Sequence, residues 1–255
     1  MSSNVPESLQ KVLSDVKRPA MAFSGGADST YVLYACGELG LDVIPYFVKG
    51  AFQTEREMRR ATELASSLGF DLSVIHFDVM SRDEILENTE ERCYLCKKMI
   101  MNLISEEAKE DGRKVILDGT NASDDIGERP GMRVLGELGI RSPLKEAGLS
   151  KQDIRELSKK AGLPTWDMPS DSCLATRIPH GTAITRELLI RTEDAEADIR
   201  ELGFRDFRVR TIGDGALLET EMEQNDLLDK KRHKVEKTLL KYYDSVSYGI
   251  RRSQL

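Results

Sequence analysis

The sequence lacks the features that mark membrane, disulfide-rich and nucleic-acid-binding proteins. No apolar run approaches the roughly 20 residues of a membrane-spanning helix, and residues 1–5 do not begin a signal peptide. The chain has four cysteines, which would be reduced in the cytoplasm, so a disulfide framework is not expected. We therefore expect a cytoplasmic protein with reduced cysteines and no membrane partner.

Basic charge is also scarce. The chain carries 37 Lys and Arg against 44 Asp and Glu, a formal net charge of −7, whereas a protein that binds nucleic acid broadly has a basic surface. We therefore expect no nucleic-acid partner. The 40% hydrophobic and 32% charged residues are typical of a globular protein that buries a core, and 255 residues suffice for one large or two modest domains.

The most informative segment is residues 24–30, with the sequence SGGADST. It lies between a short apolar run at 20–23 and the apolar residues 31–36, so a strand, a glycine turn and a helix start follow one another. That order forms an anion site, because the N–H groups of the first helical turn point at the loop and glycines let the backbone approach a ligand closely. The candidate nucleotide-binding residues of this loop are Ser24, Gly25, Gly26, Asp28, Ser29 and Thr30.

The loop fits one nucleotide-binding pattern and differs from two others. It has no lysine, unlike the Walker pattern, and its spacing is not that of the dinucleotide fingerprint. It matches S-G-G-x-D-S, the pyrophosphate loop (PP-loop) of ATP pyrophosphatases of the adenine nucleotide alpha-hydrolase type. The alternative is an ordinary strand-to-helix turn that contains two glycines. The strand–turn–helix context favours ATP binding.

Strands and helices alternate up to residue 165, which predicts an α/β domain with a mostly parallel sheet covered by helices on both faces. Ligands bind such sheets at the carboxyl ends of the strands, so the loop 24–30 and the turns after residues 48 and 117 should meet around one pocket. The proline-containing segment 164–169 ends this pattern. We predict a PP-loop domain over 1–166 and a smaller α+β domain over 167–255.

Three of the four cysteines suggest a site. Cys93 and Cys96 form a C-x-x-C pair ahead of a helix predicted to start near Lys97, and Cys173 lies at the predicted domain junction. Cys36 belongs to an apolar helix and is expected to pack there. The residues leave four interpretations open: a thioredoxin-like redox pair, a zinc site completed by a histidine, three unrelated buried thiols, and an iron–sulfur cluster on three thiolates.

The combination of loop and cysteines resembles the LarE family of sulfur transferases, which act in biosynthesis of the nickel-pincer nucleotide cofactor. The resemblance covers nearly the whole chain in the family's order, and SCLATR at 172–177 is its most specific block. The other blocks are SGGADST at 24–30, ERCYLCK at 91–97, DGTNASDD at 118–125, RPG at 129–131, SPL at 142–144 and RVR at 208–210.

The resemblance implies a reaction in two steps. AMP is first transferred from ATP to a carboxylate of pyridinium-3,5-biscarboxylic acid mononucleotide, and pyrophosphate is released. Sulfur then displaces AMP and leaves a thiocarboxylate. The implied partners are this small nucleotide substrate and sulfide or a sulfur-donor system, and we expect a homo-oligomer.

The resemblance also implies a source for the sulfur. In one branch of the family a single cysteine, at the position of Cys173, gives up its own sulfur and becomes dehydroalanine. In the other branch a 4Fe-4S cluster on three cysteines carries the sulfide. Because Cys93, Cys96 and Cys173 are all present, the chain resembles the cluster branch.

Further site residues follow from the two steps. Asp28 and the pair Asp124 and Asp125 are candidate Mg²⁺ ligands, although Asp124 is an equally good helix N-cap. Cys173, Arg177 and Asp28 are the predicted catalytic residues, with Arg177 as an anchor for substrate or AMP. The remaining predicted nucleotide- and substrate-binding residues are Gly119, Thr120, Asn121, Arg133, Arg208, Arg210 and Glu219.

Arg208 and Arg210 alternate with Val209 on a predicted strand, so both lie on one face. They form either a phosphate clamp or a solvated surface, and the resemblance favours the clamp. Three rival functions remain: a cluster-dependent tRNA thiolase, an amidotransferring synthetase of the same superfamily, and a non-catalytic nucleotide- or metal-binding module. The acidic composition argues against the thiolase.

Overall fold

A computed structural model describes residues 4–124, 130–169 and 172–251. In chain order the α-helices are α1 (Glu7–Leu13), α2 (Ala27–Glu38), α3 (Glu55–Ser67), α4 (Asp83–Leu86), α5 (Arg92–Glu110), α6 (Arg133–Glu137), α7 (Pro143–Glu146), α8 (Lys151–Lys160), α9 (Arg186–Glu201) and α10 (Asn225–Leu239). The strands are β1 (Pro19–Ala22), β2 (Ile44–Lys49), β3 (Ser73–His76), β4 (Val115–Leu117), β5 (Phe207–Ile212), β6 (Gly215–Thr220) and β7 (Ser245–Ile250).

The chain divides into two compact units. The first comprises Met1–Asp78 with Glu91–Asp171, and the second comprises Val79–Glu90 with Ser172–Leu255. The division into functional domains between residues 166 and 167 stays a prediction. Over the described ranges, none of the helices is both long enough and apolar enough to cross a membrane.

The first unit is built on a parallel sheet with the strand order β3-β2-β1-β4. Met21 lies at its centre, opposite Pro45 on one side and Leu117 on the other. One apolar cluster contains buried residues of α1, α2, α3 and α8, and a second contains those of α5 and α6. The predicted α/β fold with a parallel sheet is confirmed.

Local signals explain several helix boundaries in this unit. The helices α3 and α8 start with capping boxes, in which Thr54 and Ser150 each exchange hydrogen bonds with the acidic residue three positions later. The helix α2 differs, because Gly26 precedes it and no side chain caps its N-terminus. Its first N–H groups therefore face the PP-loop without a side-chain partner at the cap.

The helix α5 starts earlier than predicted. The expected start was near Lys97, whereas the helix begins at Arg92 and contains both cysteines of the C-x-x-C pair in its first turns. Arg92 is buried. Residue preferences alone do not reveal this start.

The second unit packs α9 and α10 against a three-stranded sheet. The strands β5 and β6 are antiparallel, and β7 runs parallel to β6. Ile199, Val209, Leu218 and Val235 are among its buried apolar residues. The segment 79–90 belongs here because the amide of Asn88 donates to the carbonyl oxygens of Pro179 and Thr182, both at 2.8 Å.

Candidate functional site

The PP-loop lies between the carboxyl end of β1 and the N-terminus of α2. Gly25 has a φ of +68°, and a methyl group there would lie 2.9 Å from the Cα of Ala61, so only glycine fits. The hydroxyls of Ser24 and Ser29 are 3.1 Å apart, and Ser29 also donates to the carbonyl oxygen of Gly26. The loop therefore has a fixed shape with hydroxyls and helix N–H groups on an anion-binding turn.

The carboxyl end of β4 contacts the same helix. A methyl group on Gly119 would lie only 2.8 Å from the backbone nitrogen of Ser29, so β4 and α2 meet through a glycine. Beyond that contact, the side-chain amide of Asn121 donates to the carboxylate of Asp28 at 3.2 Å. The carboxylate of Asp124 accepts a hydrogen bond from the backbone N–H of Asn121 at 3.0 Å.

Asp28, Asn121 and Asp124 thus form an oxygen-rich group at one edge of the sheet, whereas Asp125 lies outside the described residues. Burial raises the pKa of Asp28, and the nearby Asp124 carboxylate raises it further. The Asn121 hydrogen bond and the positive charges of Lys151 and Arg155 act in the opposite direction. A divalent cation would remove this repulsion between carboxylates.

This donor set fits Mg²⁺, which proteins bind through one or two carboxylates together with phosphate oxygens. Over the part of the chain that the structure describes, no group of three or more His, Cys, Asp or Glu could hold a metal ion without further ligands. Two carboxylates beside a phosphate-binding loop therefore agree with an ion that arrives with a nucleotide.

Asp118, at the end of β4, organises the neighbouring loop. Its buried carboxylate accepts hydrogen bonds from the N–H and hydroxyl of Thr120, at 3.1 and 2.6 Å, and from the hydroxyl of Ser142 at 2.7 Å. The ammonium of Lys97 lies 3.9 Å from the same carboxylate. Asp118, Ser142 and Lys97 all lie in the blocks that carry the family resemblance, but no local pattern in the sequence marks their roles.

The cysteines divide into accessible and buried thiols. In α5, Cys93 is exposed and Cys96 is half-buried, and Arg92 donates to the sulfur of Cys93 at 3.5 Å. Cys173 is half-buried and precedes a 3₁₀ turn in the second unit. Cys36 is buried in the core, and burial raises the pKa of its thiol to about 12. Cysteine thiolates are the usual ligands of iron–sulfur clusters. A cluster shared by Cys93, Cys96 and Cys173 stays a prediction.

Arg177 secures the turn that carries Cys173. The buried guanidinium donates to both carboxylate oxygens of Glu196 in α9, at 2.8 and 3.2 Å. It also donates to the carbonyl oxygens of Ser172 at 2.7 Å and Cys173 at 3.3 Å. These contacts make Arg177 a positioning residue for the turn, and its contact with substrate or AMP stays a prediction. Sequence reasoning missed Glu196, a buried acid on the apolar face of α9.

The two arginines of β5 have different environments. Arg208 is buried and donates to the carbonyl oxygen of Phe207 at 2.7 Å, so it does not lie on a solvated surface. Arg210 donates to the carboxylate of Glu219 at 2.6 Å and to the carbonyl oxygen of Thr176 at 2.7 Å. The phosphate clamp stays a prediction.

Arg133, also predicted to bind nucleotide or substrate, lies in the first unit. It is exposed, pairs with Glu91 at 2.7 Å and lies over the ring of Tyr94 at 4.7 Å. Its role in substrate binding stays a prediction.

Comparison with known proteins decides the family. A pyridinium-3,5-bisthiocarboxylic acid mononucleotide synthase from Lactiplantibacillus plantarum is 36% identical over 213 residues, which cover 83% of this chain and 77% of the relative. The chain belongs to the LarE family. No family model matches this LarE-family protein.

Two other relatives of this LarE-family protein are uncharacterised. The one from Synechocystis sp. is 34% identical over 86% of the chain and 82% of the relative. The one from Methanocaldococcus jannaschii is 30% identical over 87% of the chain and 84% of the relative.

An argininosuccinate synthase from Natronomonas pharaonis is 28% identical over 163 residues, 60% of this chain and 41% of the relative. The match agrees with the PP-loop motif and the parallel sheet of the first unit. The LarE-family protein is therefore an enzyme of sulfur transfer in the PP-loop superfamily. The predicted family, fold class and enzymatic nature are confirmed.

Proposed function

We propose that this LarE-family protein activates a carboxylate with ATP, releases pyrophosphate, and replaces AMP with sulfur to form a thiocarboxylate. The substrate is pyridinium-3,5-biscarboxylic acid mononucleotide, whose bisthiocarboxylic counterpart appears in the name of the Lactiplantibacillus plantarum relative. The observation that carries the proposal is the uncapped PP-loop helix beside the carboxylates of Asp28 and Asp124. An anion site and a cation site are thereby adjacent at one sheet edge.

The first half-reaction follows from that adjacency. The N–H groups of α2 and the hydroxyls of Ser24, Ser29 and Thr30 would bind the β- and γ-phosphates and follow the charge that develops on the leaving pyrophosphate. Asp28 and Asp124 would hold Mg²⁺, which neutralises phosphate charge when bound. Gly119, Thr120 and Asn121 would contact the nucleotide from the end of β4.

The second half-reaction needs a sulfur atom. Cys93, Cys96 and Cys173 would hold a 4Fe-4S cluster, which supplies the sulfide when bound. Arg177 keeps the turn of Cys173 in place through Glu196. Arg208 and Arg210 of β5 would bind the substrate phosphate and carboxylates, and so would Arg133, because a guanidinium matches such anions. Glu219 would orient Arg210, whose guanidinium donates to it at 2.6 Å.

The enzyme would act in the cytoplasm as a homo-oligomer. Its partner would be sulfide or a sulfur-donor system, and it would not bind nucleic acid. The rival tRNA thiolase would bind tRNA in a gel shift. A rival enzyme in which Cys173 gives up its own sulfur would convert this residue to dehydroalanine during turnover; this is the sacrificial mechanism.

Two measurements test the proposal. Pyrophosphate exchange into ATP should require the pyridinium substrate, and no exchange in its presence would refute the activation step. Anaerobically prepared protein should contain iron and sulfide, and Cys93→Ala should lose them whereas Cys36→Ala should not. Protein without iron that forms dehydroalanine at Cys173 would instead support the sacrificial mechanism.

A further inference from the structure

Lys97 connects the cysteine turn to the nucleotide edge of the first unit. It follows Cys96 directly and is four residues beyond Cys93, so Lys97 and Cys93 lie on the same face of α5. Its ammonium lies 3.9 Å from the carboxylate of Asp118 at the carboxyl end of β4. One side chain therefore extends from the thiol-bearing turn to the strand end where the nucleotide is expected.

Packing holds this side chain in place. A methyl group at Gly131 would lie 3.4 Å from the Cδ of Lys97, and the ammonium is 3.6 Å from the sulfur of Met132. The side chain is 25% exposed, so it is partly withdrawn from water and still accessible to a ligand. Lys98, the next residue, differs: it is 42% exposed and binds Tyr94 and Glu137 at the surface.

Asp118 supports the charge of Lys97. At 3.9 Å the two groups form an ion pair beyond hydrogen-bond distance, and the ammonium also donates to the sulfur of Met132 at 3.6 Å. The carboxylate itself is already held by Thr120 and Ser142. Thr120, Ser142 and Met132 also line a cavity of about 330 Å³, so the surroundings of the ammonium border space for a bound molecule.

We propose that Lys97 is a catalytic residue of the sulfur-transfer half-reaction and stabilises the oxyanion formed at the activated carboxyl group. This inference rests on the proposed function. A sulfide nucleophile forms a bond to the acyl carbon, and the carbonyl electron pair moves to oxygen, which accepts a hydrogen bond from the ammonium. The carbonyl bond then re-forms, and the bond between carbon and the AMP oxygen breaks. AMP leaves with that electron pair, the sulfide proton goes to water, and no oxidant or reductant is consumed.

The test separates the two half-reactions in Lys97→Met, with Lys98→Met as the matched control. Substrate-dependent pyrophosphate exchange should be unchanged in both variants, because Lys97 acts after adenylation. Thiocarboxylate formation should fall about 100-fold or more in Lys97→Met, the usual effect of losing one oxyanion donor, and stay at the wild-type rate in Lys98→Met. In iron-free protein, hydroxylamine can serve as the nucleophile in place of sulfide, and the product is a hydroxamate. Enzyme-dependent hydroxamate formation should fall in Lys97→Met to the same degree as thiocarboxylate formation.

Lys97→Arg distinguishes loss of the positive charge from a purely structural effect. Because this variant keeps the charge, it should recover much of the rate that Lys97→Met loses. Three results would each overturn the inference. The first is that both Lys97 variants lose pyrophosphate exchange as well as thiocarboxylate formation. The others are full thiolation by Lys97→Met and equal losses in Lys98→Met. Absence of exchange in the wild-type protein would instead refute the proposed function on which it rests.

Discussion

The buried pair of Arg177 and Glu196 gives the sharpest prediction for the second unit. The side chains of both residues are less than a tenth exposed, and two hydrogen bonds connect them at 2.8 and 3.2 Å. The carboxylate also accepts the N–H of Val209 at 3.1 Å. In Arg177→Met the acid keeps that one bond and loses the guanidinium that balances its charge.

The expected cost is about 3–5 kcal/mol, because removing one partner of a buried ion pair leaves an uncompensated charge. The midpoint temperature should fall by about 2–4 °C per kcal/mol for a protein of this size. The assay is urea unfolding followed by circular dichroism, with the m-value checked for constancy. Thiocarboxylate formation should fall as well, because the turn of Cys173 loses its anchor, whereas pyrophosphate exchange should remain.

Two comparisons make the prediction refutable. Lys241→Met removes an exposed ion pair, at 2.9 Å, to Asp198, which lies on α9 as Glu196 does. It should lower the free energy of unfolding by at most about 1 kcal/mol. Arg177→Met combined with Glu196→Gln should recover most of the loss, because no buried charge is then left unpaired and the amide oxygen can still accept the N–H of Val209. If Arg177→Met costs no more than the exposed control, the pair does not stabilise the turn.

Three further predictions concern the first unit. Gly119→Ala places a methyl group 2.8 Å from the α2 backbone and should abolish pyrophosphate exchange, whereas Gly136→Ala, where the methyl group meets open space, should leave it intact. Asp28→Asn should raise the unfolding free energy of the nucleotide-free protein at pH 7. Burial raises the pKa of the folded carboxyl above its ordinary value of 3.8. Its cost is therefore absent below that value, grows as the pH rises from there to the folded pKa, and is complete above it. An equal gain below that range would contradict this reasoning, and exchange by the variant would refute the role of the carboxylate. Iodoacetamide at pH 8 should label Cys93 and leave Cys36 untouched until the chain unfolds, as peptide mass spectrometry would show.

The sequence by itself determined the local structure. The PP-loop, the capping box at Thr54 and the alternation of strands and helices are short-range patterns, because hydrogen bonds between neighbours in the chain produce them. The strand predicted to carry Arg208, Val209 and Arg210 is observed as β5. The blocks that identify the LarE family are likewise continuous segments, so they required no structure.

Only the tertiary structure decided which distant groups meet. Asn121 reaches Asp28 across 93 residues, and Arg177 reaches Glu196 across 19. No local pattern marks such pairs, since they depend on the order β3-β2-β1-β4 and on the packing of α9. The start of α5 at Arg92 was likewise not visible in the local sequence. The physical reason is that burial and pairing of charges are properties of the assembled core and not of the chain segment.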